Sequence, residues 1–300
     1  MITLVGSRLG DRLWRRLVVS LPYCWLLIFF LAPFAIVFKI SFSDPIVSMP
    51  PFTPFFDFSA DAEHWLLASL DNYRFLMEDN LYWVSYLNSV WIAFVSTVLC
   101  LLLGYPMAYG IATAKPGMRN ILLMLIIIPF WTSFLLRVYA WMGMLGQYGV
   151  VNNLLISLGI IDTPIQMLYT DGAVYAGIVY TYVPFMILPL YATLEKLDVD
   201  LHEAAADLGA TPFQVFKDIT LPISMPGIIA GCLLVFIPAL GEFVIPSLLG
   251  GVDSLMIGRT LYDEFFVNRD WPLASTVATI LLLIIVLPIM WFQHSQMQEK

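Results

Sequence analysis

Glu242 is the one carboxylate that falls inside a long apolar stretch of this chain. A charge at such a depth costs a few kcal/mol unless it faces a cavity or a partner. Pro238 and Pro246 flank it. Each proline removes an intrahelical hydrogen bond, which would free the carbonyls of Leu234 and Glu242. A broken helix presenting carbonyls and one negative charge suits an organic cation, and irregular backbone is tolerated where it lines a cavity. Aromatic faces add cation–π attraction, worth roughly 0.5–2 kcal/mol each. Trp131, Tyr139, Trp141, Tyr180 and Tyr182 are the candidates for that role, and Asp270 is a second acidic one.

Plainer readings stand beside these. The span could end near residue 240 and leave Glu242 at a wet interface. Tyrosines and tryptophans near span ends often serve as interfacial anchors. Asp270 could pair with Arg269 or Arg259. Arg137 would repel a cation, so it reads as a snorkelling or salt-bridged residue. The cysteines Cys24, Cys100 and Cys232 each sit in an apolar window and read as small buried residues, with no disulfide or metal spacing.

A second constellation is polar. Residues 198–222 write two short helices and a turn. Asp200 and Glu203 have N-cap spacing, and 201–208 is a good helix-forming run. Gly209 supplies a left-handed residue that ends a helix. Thr211, Pro212 and Gln214 can open a second helix, expected to run to about Ile219 and to stop at Pro222. Neither helix is basic, so the DNA-binding meaning of such a hairpin is disfavoured.

The elements that must position these residues follow from composition. The chain has 300 residues, 60% of them apolar and only 12% charged. Several windows without Asp, Glu, Lys or Arg exceed the roughly 20 residues that cross a bilayer as a helix. The expected fold class is all-α: a polytopic membrane protein with six transmembrane helices near 17–41, 83–112, 120–142, 173–194, 225–248 and 273–293. The apolar runs lack two-residue alternation, which excludes a transmembrane barrel. The first run, about 22 residues, exceeds a signal-peptide core of roughly 7–15 and reads as an uncleaved anchor.

Basic residues set the orientation. Arg8, Arg12, Arg15, Arg16, Lys115, Arg119, Lys196, Lys217 and Lys300 fall on one side, against Arg74, Arg259 and Arg269 on the other. Both termini are therefore expected in the cytoplasm. The outer loops carry thirteen acidic residues, a bias that either attracts cations or merely accompanies positive-inside sorting. The long outer loop 42–82, rich in proline and phenylalanine, either docks a partner or packs on its own helices.

The hairpin also carries a family signature. Glu203-Ala204-Ala205, Gly209, then nine residues to Ile219, Leu221 and Pro222 resemble the EAA loop of ABC importer permeases. The resemblance implies a type I importer permease fold. It also implies that this loop, with Asp207 and Leu208, docks on a cytoplasmic ATPase. Leu102–Tyr109, Pro129–Trp141, Gly241–Pro246 and Asn268–Pro272 are similar to the permeases of spermidine/putrescine importers, most of all to those of putrescine-specific systems.

That likeness covers about residues 20–293. It implies a cytoplasmic segment 1–16, a permease domain 17–293 holding the coupling hairpin 198–222, and a cytoplasmic tail 294–300, all in a bacterial inner membrane. It implies as partners two ATPase subunits, a second homologous permease, a periplasmic polyamine-binding protein and the lipid bilayer, with no nucleic acid.

The chain contains no phosphate-binding loop of the G-x-x-x-x-G-K-[ST] type. ATP and Mg are therefore expected in the partner ATPase, with no cofactor and no catalytic residue here. A secondary transporter would need paired broken helices in two repeats, and a membrane-anchored enzyme would need a catalytic cluster. His64, His202 and His294 are far apart in sequence.

Overall fold

The computed structural model describes residues 18–54, 68–252 and 254–298. The segment 1–16, Phe55, Phe56 and Phe58 of the outer loop, and Lys300 lie outside the described residues. In chain order the helices are α1 (Val18–Ile40), α2 (Asp71–Glu78), α3 (Asn80–Ala112), α4 (Pro116–Trp131), α5 (Phe134–Leu145), α6 (Val150–Ser157) and α7 (Asp171–Leu194). They continue as α8 (Val199–Asp207), α9 (Pro212–Leu240), α10 (Val244–Leu249), α11 (Ile257–Tyr262) and α12 (Trp271–Gln298). The all-α expectation holds.

Among the described residues four helices, α1, α3, α7 and α9, are long and apolar enough to cross a bilayer, and α12 carries a shorter apolar stretch, Trp271–Val286. The third expected span is not one straight helix. It breaks between Trp131 and Phe134, and the pair Pro116–Trp131 and Phe134–Ser157 is bent by 91°. The cause is local. Pro129 lies in a tight 3-10 turn, and Thr132 and Ser133 take extended ψ angles of 152° and 136°.

The chain divides into two compact units, 1–80 with 261–300, and 81–260. In the first unit the end of α1 is tied by polar side chains. Asn72 Nδ2 donates to the Ser43 carbonyl at 2.8 Å, and Thr276 Oγ1 donates to the Ser41 carbonyl at 3.1 Å. In the same unit the rings of Phe265 and Trp271 stack, their centroids 5.0 Å apart.

The second unit is built on small residues. The buried face of α3 includes Ser89, Ala93, Ser96, Cys100, Gly104 and Ala108, while Trp91, Phe94 and Leu102 are exposed. Without a hydrophobic drive between helices in lipid, such small faces let backbones approach. Gly227 and Gly231, spaced four apart on α9, do the same against α7. A Cβ on Gly227 would lie 2.9 Å from the Pro189 carbonyl oxygen, and one on Gly231 would lie 3.2 Å from that of Met186. The core around this seam joins Cys100, Met186, Ile187, Leu190 and Val235. Cys24, by contrast, is exposed, so only Cys100 is fully buried as expected.

Candidate functional site

Helix α9 ends at Leu240, and α10 begins at Val244. Glu242 sits in that break and is only 7% exposed. It is neither inside a helix nor at an open interface. Its Oε1 accepts the backbone N–H groups of Phe243, Val244 and Ile245 at 3.2, 3.0 and 3.4 Å. Its Oε2 accepts the Tyr182 hydroxyl at 2.5 Å. The carboxylate thus caps the free donors at the start of α10. Pro246 falls in the first turn of α10, where no intrahelical bond is lost, so it does not free the Glu242 carbonyl as the sequence suggested. Gly258 packs against this break: a Cβ there would lie 2.4 Å from the Gly241 carbonyl oxygen.

Glu242 lines a cavity of about 500 Å³ together with Phe130, Arg137, Tyr182 and Phe185. A neighbouring cavity of about 560 Å³, mostly apolar, shares Phe130 and Arg137 and also takes in Pro129 and Tyr180. Arg137 therefore stands at both. Among the described residues it forms no ion pair. Its Nη1 donates to the Pro129 carbonyl across the break in the bent span, and its guanidinium lies over the Phe130 ring, 5.3 Å from the centroid. The salt bridge that the sequence allowed is not formed among the described residues; the Thr132-Ser133 break instead folds the side chain back onto the preceding turn.

The other aromatic candidates divide. Tyr182 touches Glu242, and Trp141 packs edge-on against Tyr180 with centroids 5.5 Å apart. Tyr180 lines the apolar cavity. Trp131 is 77% exposed, Tyr139 is exposed as well, and Tyr139, Trp131 and Trp141 do not line either cavity. Asp270 belongs to the other compact unit. Its Oδ1 accepts the Leu273 N–H at 3.0 Å, so it caps α12, and among the described residues it forms no ion pair with Arg269. Burial holds its carboxyl above the ordinary range; the Leu273 bond opposes this and nearby Glu264 adds to it. Phe130, Phe185 and Arg137 are among the cavity residues that sequence reasoning passed over or discounted. Their signal was Pro129 beside Thr132-Ser133, a break marker inside an apolar run.

The polar hairpin has the expected turn and a shifted start. Asp198, not Asp200, caps α8, its Oδ1 accepting the Asp200 N–H at 3.1 Å. Gly209 ends α8 with φ +84°, in the left-handed region. Thr211 and Gln214 then form a reciprocal capping box. The second helix does not stop at Pro222. It passes through a wide π turn, Phe216–Thr220, into Leu221–Leu240. There the Leu221 N–H reaches back five residues to the Phe216 carbonyl. The widened turn accommodates a proline that an ideal α-helix would reject.

On the hairpin Glu203, Ala204, Asp207 and Gly209 are exposed and Ala205 is half-buried. Leu208 is 89% and Phe213 72% exposed. Of the downstream motif residues, Ile219 and Leu221 are half-buried and Pro222 is exposed. His202 Nε2 meets Thr220 Oγ1 at 3.1 Å, bracing the two helices. Tyr105 of α3 binds Ser224 Oγ at 2.9 Å and packs edge-on against Phe216. Arg119 at the start of α4 pairs with Glu195 at the end of α7, 2.8 Å apart, and donates to the Ala112 carbonyl at 2.7 Å.

The family model described as "Binding-protein-dependent transport system inner membrane component" matches residues 2–296. The spermidine/putrescine transport system permease protein PotB of Haemophilus influenzae is 41% identical over 277 residues, 91% of each chain. PotB of Escherichia coli is 43% identical over 236 residues, covering 78% of this chain and 86% of that one. Among solved structures, a bacterial ABC transporter that imports the acidic polysaccharide alginate aligns with a TM-score of 0.67 at 18% identity. That alignment covers 97% of this chain and 99% of the other. At that identity the likeness speaks to the fold alone.

Proposed function

The chain belongs to the family of binding-protein-dependent transport system inner membrane components, and from that premise we propose that it forms half of the pathway of an ATP-driven polyamine importer, with putrescine as the expected cargo. It is an inner-membrane permease of the ABC importer type and not an enzyme. Hydrolysis of ATP falls to separate subunits, and a binding protein delivers the cargo. A second, homologous permease supplies the other half of the pathway.

The observation that carries the cargo reading is Glu242: a buried carboxylate, held rigid by four donors, in a cavity whose wall includes Phe130, Tyr182 and Phe185. A fixed negative charge beside aromatic faces suits an alkylammonium. The relatives named as spermidine/putrescine permeases support the same class. Tyr180, with Trp141 packed against it, belongs to the pathway in this reading, whereas Trp131 and Tyr139 line neither cavity and Asp270 is not assigned to it. Both termini face the cytoplasm, following the basic-residue bias.

Coupling runs through the hairpin. Exposed Leu208 and Phe213 form an apolar contact surface beside Glu203, Ala204, Ala205, Asp207 and Gly209, and Ile219, Leu221 and Pro222 carry motion into α9. The test is uptake of labelled putrescine by the assembled transporter in proteoliposomes, with putrescine, spermidine and an unrelated cation as competitors. Competition by the polyamines alone supports the reading. No polyamine uptake, or equal competition by the unrelated cation, overturns it.

A further inference from the structure

We propose that the face of Phe130 and the carbonyl of Pro129 form a second cation seat in the pathway, occupied in this conformation by the protein's own Arg137, which a substrate ammonium displaces. The inference rests on the cargo reading above and deepens it.

The geometry has three parts. The guanidinium lies over the Phe130 ring, 5.3 Å from its centroid, which is the range of cation–π attraction. Its Nη1 donates to the Pro129 carbonyl. These are the two kinds of partner, a π face and a carbonyl oxygen, that an alkylammonium seeks. Second, the seat is on the pathway: Phe130 and Arg137 line the Glu242 cavity and its apolar neighbour alike. Third, the arginine is incompletely satisfied. Among the described residues its buried Nε has no hydrogen-bond partner, and it makes no ion pair with the carboxylate that lines the same cavity. A guanidinium left short of partners is poorly anchored, since each unmade bond of a buried donor has a cost.

The arginine also has a physical consequence for affinity. Its positive charge offsets that of Glu242, so a bound cation gains less than the carboxylate alone would provide. Release follows from the same exchange: when Arg137 returns to Phe130 and Pro129, the departing ammonium loses its partners. The arginine is then a built-in competitor that keeps binding from becoming too tight for turnover.

The experiment is equilibrium binding of labelled putrescine to the purified complex of permeases and ATPase subunits, without the binding protein, by scintillation proximity. Removing the competing charge in R137Q is expected to tighten Kd on the order of five- to tenfold, with R137K close to wild type. An R137Q complex that assembles and shows unchanged or weaker binding overturns the seat.

F130L is an independent probe. It removes the ring, frees the guanidinium toward Glu242, and is expected to weaken binding about threefold or more; unchanged Kd there overturns the inference even if R137Q fails to assemble. Uptake by the wild-type transporter separates the two readings. No polyamine uptake removes the cargo assignment, whereas normal uptake with unaltered Kd in both variants removes the cation seat alone.

Discussion

The Tyr182 hydroxyl reaches the Glu242 carboxylate across 2.5 Å, joining the middle of α7 to the break after α9. Sixty residues separate the two in sequence. The bond is charge-assisted, the stronger kind of hydrogen bond. Tyr182→Phe removes the donor and leaves the ring. The expected cost is about 1.5–3 kcal/mol, read as a lower melting temperature of the complex together with reduced uptake. A melting temperature and uptake equal to wild type would show that the bond carries neither stability nor transport.

The cap that Glu242 provides and the cargo role proposed for it are separable by two substitutions. Glu242→Gln keeps an oxygen for the N–H groups of Phe243, Val244 and Ile245 but removes the charge. Uptake should fall at least about tenfold, equivalent to about 1.4 kcal/mol, while assembly is retained. Glu242→Ala also removes the cap and should lower the yield of assembled complex, by about 1 kcal/mol of stability or more. Equal uptake by wild type and the glutamine variant would leave Glu242 a purely structural cap.

Gly209 has φ +84°, a conformation costly for any β-branched side chain. Open space surrounds it, so a valine would meet strain without a clash. Gly209→Val should therefore leave the membrane-embedded part folded while distorting the α8–α9 turn. The expected readout is ATP hydrolysis that is no longer stimulated by loaded binding protein, with unchanged amounts of permease in the membrane. Full stimulation would contradict docking through this hairpin.

A Cβ at Gly227 would lie 2.9 Å from the Pro189 carbonyl oxygen and 2.6 Å from Thr193 Oγ1, closer than real Cβ atoms come. Gly227→Leu should force α7 and α9 apart and destabilise the permease by several kcal/mol, in the range of overpacked cores. Gly110→Leu is the control, since a Cβ at Gly110 finds nothing within 4 Å. The measurement is the yield of monodisperse complex after extraction; equal yields for the two variants would count against the tight seam.

The apolar windows made the helical class legible, because nothing but a membrane helix tolerates so long a stretch without charge. The hairpin was legible from Gly209, Thr211 and Gln214, since turn and cap chemistry is local. Its cap was misplaced by two residues because Asp198 and Asp200 are equally good cap chemistry, and only the backbone path decides between them. The break at Thr132-Ser133 escaped because apolar composition carries no information about direction once Pro129 has opened the turn.

The cavity wall escaped for a related reason. Arg137 was read by its charge alone, while the Phe130 ring and Pro129 carbonyl that receive it are brought near by the 91° bend. The glycine seam of α7 and α9 escaped as well, because the close approach of Gly227 and Gly231 to the Pro189 and Met186 carbonyls exists only in three dimensions.

Because Pro222 fails to interrupt it, α9 runs unbroken for 29 residues, about 43 Å of helix. One end lies in the turn beside Phe213 and the other at Leu240, two residues short of Glu242. Under the coupling proposed above, a displacement imposed at the hairpin would travel along one helix to within two residues of Glu242. Stroke and grip would then belong to one helical element, with the wide turn at Phe216–Thr220 as its point of flexure.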